Sequence, residues 1–220
     1  MSIANRLQKV KESLPSQVTL VAVSKTHPVA SVEEAYQAGQ KDFGENKVQE
    51  LLQKQKQLPA DIRWHLIGHL QTNKVKLVVS FVSLIHSVDS VKLLQEINKQ
   101  ALKVNRMVDC LLQIHIASEE TKFGMSYAEC RELLDSGLLK DMKGVRIRGL
   151  MGMASNTNDE NQIQKEFERL RDFFEECKLK DFRFDILSMG MSSDYLMAVS
   201  EGSNMVRVGS TIFGERNYQI

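Results

Sequence analysis

Cysteine is scarce in this sequence. Cys110, Cys130 and Cys177 are odd in number, far apart, and set in apolar or helical surroundings. That pattern excludes a disulfide frame and a metal knuckle, and it reads as free thiols in a reducing, cytoplasmic compartment. Charge of one sign is lacking too, since 29 Lys and Arg face 28 Asp and Glu for a net charge of +1. Nucleic-acid binding needs a clustered basic excess, so no such partner is expected, while a local anion site stays compatible. No apolar run reaches the ~20 residues of a membrane span. The N-terminal stretch carries Ile3, Leu7 and Val10 at helical spacing but lacks the apolar centre of a signal peptide. No Pro/Gly/Ser-rich linker, low-complexity tract or repeat divides the chain. One domain over residues 1–220, with a substantial core, is the expectation.

What is present is a regular alternation. Eight strand-like runs end near Ser24, Gly44, Gly68, Val88, Ala117, Met153, Met189 and Gly209. Most are near-continuous apolar runs, as parallel strands covered on both faces require. Helical segments separate them. Ser31-Val32-Glu33-Glu34 and Ser126-Tyr127-Ala128-Glu129 have the form of capping boxes, and Gly39 and Gly137 supply the stops. Residues 90–104 align Leu93, Leu94, Ile97, Ala101 and Leu102 on one face, and residues 159–178 align Ile163, Phe167, Leu170, Phe174 and Cys177. A short helix over 193–201 stops at Gly202. Eight such units predict a small (β/α)8 barrel, with a doubly wound open sheet as the alternative.

A barrel gathers its functional groups at the carboxyl ends of its strands. Those ends read Ser24-Lys25, Gly44-Glu45-Asn46, Gly68 to Lys74, His86-Ser87, "SMGMS" and "RVGST". The last two follow strands seven and eight, where such a barrel commonly binds phosphate. Ser192 at a helix start, Arg207, and the amides and hydroxyl of Gly209 and Ser210 could meet a dianion with charge-assisted hydrogen bonds. Two capped glycine turns explain the same letters. A lysine across the mouth from a phosphate suggests a Schiff base between Lys25 and a phosphorylated aldehyde. That chemistry needs the neutral amine, whereas an exposed lysine at pKa ~10.4 is protonated. A solvated lysine is the plainer alternative. His65 and His69 straddle a strand end, and the chain has no His-x-His after its first strand, so no metal site is expected. The methionines of "GLMGM" and "SMGM" read as core or as an apolar wall.

Taken in order, "AVSKTHP", "FGENKVQE", "WHLIGHLQTNK", "TKFG", "GLMGM", "LSMGMSSDY" and "VRVGSTIFGERNY" resemble the YggS/PROSC family of pyridoxal-phosphate-binding homeostasis proteins. The resemblance runs from about residue 5 to the "GERNY" run, and it implies a single (β/α)8 TIM barrel like the N-terminal domain of alanine racemases (fold type III). It further implies that Lys25 forms an aldimine with pyridoxal 5'-phosphate. Ser192 would bind the phosphate with Arg207, Gly209 and Ser210 beside it, and Asn46 would lie close to the lysine and the cofactor ring. His69 stands where many members carry Pro or Gly.

The implied role is to hold and supply the cofactor inside the cell without robust catalysis, with pyridoxal-phosphate-dependent apo-enzymes as recipients. Racemases of the related fold take a second base, a tyrosine, from a C-terminal β domain and a partner subunit. No such domain is expected here, which favours a monomer. A narrow amino-acid racemase or decarboxylase and a sugar-phosphate aldolase using Lys25 are the alternatives. Lys74 and Lys122 are candidates for a secondary contact or for plain surface lysines.

Overall fold

Alternating strands and helices close into a barrel in the computed structural model, which describes residues 1–179 and 184–215. The last three residues of the "GERNY" run lie outside the described residues. The strands are β1 (Thr19–Val23), β2 (Asp42–Glu45), β3 (Arg63–Leu66), β4 (Leu84–Val88), β5 (Val108–Ile114), β6 (Val145–Gly152), β7 (Ile186–Ser188) and β8 (Met205–Val208). They pair in sequence order, all parallel, and β8 returns to β1 through Thr19↔Met205 to Ala22↔Val208. The helices are α1 (Ile3–Glu12), α2 (Val29–Gln37), α3 (Val48–Gln55), α4 (Val91–Lys103), α5 (Tyr127–Asp135), α6 (Glu160–Leu179), α7 (Tyr195–Ser200) and α8 (Ser210–Phe213). A 3-10 segment, Thr72–Leu77, replaces the helix between β3 and β4. The closed ring is the (β/α)8 barrel, and the open-sheet alternative is excluded.

Side chains alternate across each strand, so two cores form. The outer one packs the helices' apolar faces, such as Val32, Leu51, Ile97 and Phe167, onto the strands. The inner one plugs the barrel axis with Val21, Leu84, Leu111, Met151 and Met205. Two residues further along the same strands the interior turns polar, at His86, Gln113 and Arg207, all buried. This layer is the floor of whatever the strand ends hold.

Four local readings are corrected. The Ser31–Glu34 capping box does not form, because α2 already starts at Val29 with Pro28 at its cap. Glu34 instead accepts the Ile3 amide of α1 at 2.8 Å. The Ser126–Glu129 box forms as read. Leu102 is exposed, one step around the helix from the Leu94–Ile97–Ala101 stripe. β5 stops at Ile114, three residues short of Ala117, where the chain loops out and returns to pair Met125 with Ile114. The helix expected over 193–201 starts only at Tyr195, since the Asp194 carboxylate turns back to accept the Met191 amide at 2.5 Å.

Candidate binding site at the carboxyl ends of the strands

A cavity of about 570 Å3 opens at the carboxyl ends of the strands. Lys25, Asn46, Ser192, Arg207, Gly209 and Ser210, drawn from three distant parts of the sequence, all line it. Val23, Ile67, Phe123 and Met153 form apolar walls, and Ser193, Thr211 and His69 add polar edges. Lys25 follows β1 and is half-buried. Asn46 follows β2 and faces the same space.

The two loops read as an anion site are tied together. Gly209 donates its amide to Ser192 Oγ at 3.0 Å, which locks the turn after β7 to the turn after β8. The Gly209 amide is therefore a strut between the loops. The Ser210 and Thr211 amides open α8, where helix geometry denies them an intrahelical acceptor. Gly190 has φ 94°, and a Cβ there would lie 2.6 Å from Ala198 Cβ. Only glycine lets this turn pack against α7.

Arg207 is anchored lower than the sequence suggested. Its guanidinium donates to Ser188 Oγ at 2.7 Å and to the Gly152 carbonyl at 2.9 Å. Burial lowers its pKa to about 10, so it remains a cation at neutral pH. Beneath it runs a polar chain that sequence reasoning missed. Ser188 Oγ lies 3.2 Å from His86 Nδ1, His86 Nε2 lies 2.9 Å from His65 Nδ1, and His65 Nε2 lies 3.1 Å from Asp42 Oδ1. Burial pushes the Asp42 carboxyl up, but hydrogen bonds from His65 and Arg63 outweigh it and hold the group at about 2. Arginine only donates and a carboxylate only accepts. The chain therefore has a donor end at Arg207 and an acceptor end at Asp42. The one signal in the sequence is a histidine inside the apolar run "FVSLIHSV".

That chain dictates a pH dependence. Burial, with His65 and Arg207 nearby, holds His86 well below the usual histidine range. The unfolded chain takes up this proton near pH ~6.5 and the folded chain refuses it, so acid favours unfolding. Stability is fully present above that pH and falls below it by up to about 1.4 kcal/mol per pH unit. Asp42 acts in the same direction between its ordinary value of 3.8 and about 2. Urea unfolding from pH 7 to 5 is expected to show this slope in the wild type and lose it in His86→Gln. Equal slopes in both proteins would contradict the assignment.

Other candidates fall elsewhere. Lys122 donates to the Ala154 carbonyl at 2.6 Å and pairs with Glu119 at 3.0 Å, so it is a tethered loop lysine and no solvated one. Lys74 is half-buried in the 3-10 segment. His69 Nδ1 lies 3.0 Å from Asp89 and its ring stacks on Phe123 at the cavity edge. Among the described residues, no group of three His, Cys, Asp or Glu could hold a metal ion.

The alanine racemase N-terminal domain family matches residues 1–217. The pyridoxal phosphate homeostasis protein of Aquifex aeolicus is 38% identical over 221 residues, covering 98% of this chain and 96% of that protein. This chain belongs to the pyridoxal phosphate homeostasis protein family. The Schizosaccharomyces pombe member of the family is 40% identical over 203 residues, or 90% of this chain and 84% of that protein. PipY of Synechococcus elongatus, solved with PLP bound, is 40% identical with a TM-score of 0.88, covering 97% of this chain and all of that one. Its structure without PLP gives a TM-score of 0.92. An alanine racemase of Clostridium difficile shares the fold, with a TM-score of 0.82 at 14% identity over 58% of its own length. No helix among the described residues is long and apolar enough to cross a membrane.

Proposed function

We propose that residues 1–220 act as one unit that binds pyridoxal 5'-phosphate covalently at Lys25 and serves its homeostasis, without turnover of its own. The observation that carries this reading is the composition of the cavity. The joined loops after β7 and β8 offer hydroxyls and helix-opening amides for a phosphate, at Ser192, Ser210 and Thr211. Ile67 and Met153 offer apolar walls for a planar ring, and Lys25 offers an amine. Arg207 supplies fixed positive charge from the floor, and Asn46 lines the same cavity as the lysine. These lining residues suit a phosphorylated aromatic aldehyde, which would supply the electrophile for Lys25.

The absence of turnover rests on which groups the cavity presents. Proton abstraction from an amino acid needs a placed base. Among the described lining residues there is no tyrosine, carboxylate or thiol. Held cofactor would then pass to apo-enzymes that depend on it, and the protein would work inside the cell as a monomer. His69 favours one second reading. Its carboxylate partner Asp89 could orient it as a base, which would make a narrow racemase.

Exchange of the alpha proton of a broad amino-acid panel in deuterated water separates the two. The proposal expects no exchange above the rate of free cofactor. Exchange that disappears in His69→Ala would establish the racemase instead.

A further inference from the structure

The backbone on both sides of Lys25 is held by a cluster of side chains from β2 and α3, buried at Lys54 and Glu45. β1 ends at Val23, and one further sheet bond, the Ser24 amide on the Gly44 carbonyl at 3.0 Å, carries the ladder to the start of the next turn. Ser24 to His27 form a turn closed by the His27 amide on the Ser24 carbonyl at 3.1 Å. Lys25 is its second residue. Thr26, the third, has φ 68°, a left-handed conformation that turns normally reserve for glycine or asparagine. Something must hold a β-branched residue there.

Lys54 of α3 provides it. The side chain is buried, and Nζ donates to the Ser24 carbonyl at 2.7 Å, to Glu45 Oε1 at 2.6 Å and to Glu50 Oε1 at 2.8 Å. Those three bonds use every ammonium hydrogen. Glu50 Oε1 also accepts the Thr26 amide at 2.6 Å, and Ser24 Oγ donates to Glu45 Oε1 at 2.6 Å. Burying an ion pair gains little stability over an apolar pair of the same shape. This one instead grips the carbonyl before Lys25 and the amide after it.

We propose that Lys54 and Glu50 are positioning residues for Lys25, clamping the Ser24–Thr26 turn so that the lysine projects into the cavity. The inference rests on the reading that Lys25 bonds the cofactor.

Glu50→Ala is the variant to make, because Glu45 remains as the ion partner of Lys54 and Glu50 is partly exposed on α3. Amide exchange at Thr26 in the cofactor-free protein is expected to rise about tenfold or more. Formation of the coloured adduct with pyridoxal 5'-phosphate is expected to slow about tenfold, the scale of a displaced reacting group. Pyridoxine 5'-phosphate carries the same ring and phosphate with an alcohol for the aldehyde, and its affinity is expected to stay within about twofold, as for a site that is not itself altered. Glu50→Gln, which keeps an acceptor oxygen, should restore the adduct rate.

An unchanged adduct rate in Glu50→Ala would overturn the clamp, as would equal losses for the aldehyde and the alcohol. A wild type that forms no adduct would sink the functional reading, and Thr26 exchange would still decide whether the clamp holds the turn.

Discussion

Lys25→Ala protein mixed with pyridoxal 5'-phosphate is expected to stay colourless, with no adduct fixed by borohydride, while its fold and melting behaviour stay near wild type. The effect is complete because covalent capture depends on one nitrogen. The neutral Lys25 amine adds to the aldehyde carbon, a carbon–nitrogen double bond replaces the carbonyl, and the oxygen leaves as water. Alanine offers no nucleophile, and Lys54, the other lysine near this turn, has its three hydrogens committed to Ser24, Glu45 and Glu50. Lys25 is half-buried at a loop, so its truncation should cost no more than about 1 kcal/mol. The phosphate end of the cavity stays whole, and the variant should still bind pyridoxine 5'-phosphate. Visible absorbance before and after borohydride checks the prediction, and a wild-type band in the variant would contradict it.

Gly149→Val is expected to have the largest effect on stability. Gly149 follows an irregularity in the β5–β6 ladder, where Cys110 and Leu111 face Ile147 and Gly149 and Arg148 is extra. Its φ is 152°, and a Cβ would lie 1.9 Å from the Ile186 carbonyl oxygen of β7. No rotamer relieves a clash between a Cβ and a backbone oxygen. The β6–β7 seam must open, and Gly149 is itself paired with Ile186 there. Local strain in a closed ring spreads, because each strand is held by both neighbours. A loss of at least about 4 kcal/mol is expected, in the range that marks a backbone-level fault. That lowers the melting temperature by about 10 °C or more for a chain of this size. Calorimetry settles it, and a melting temperature unchanged from wild type would refute the account of this bulge.

The barrel was legible because the strands are short apolar runs, several of them stopped by glycine or serine, and the longer helices such as α4 and α6 show a 3.6-residue stripe. Leu102 and the Ser31 box were misread because adjacent positions on a helix face look alike until tertiary partners choose between them. Glu34 was claimed by α1, and no local pattern announces that. The cavity wall was legible because barrel function collects at strand ends. The machinery behind it was not. Lys54 and Glu50 stand four residues apart on α3, a spacing with no local sign of burial, and only packing α3 onto the barrel buries the lysine and turns it toward Ser24. The His65–His86 pair required knowing that both rings point into the barrel, which strand parity alone does not specify.

The most direct test of the central claim is peptide mapping by mass spectrometry of wild-type protein loaded with pyridoxal 5'-phosphate and reduced with borohydride. The account predicts one modified peptide, with the reduced cofactor on Lys25. An adduct spread over exposed lysines, or resting on Lys122 or Lys74 with Lys25 untouched, would contradict it.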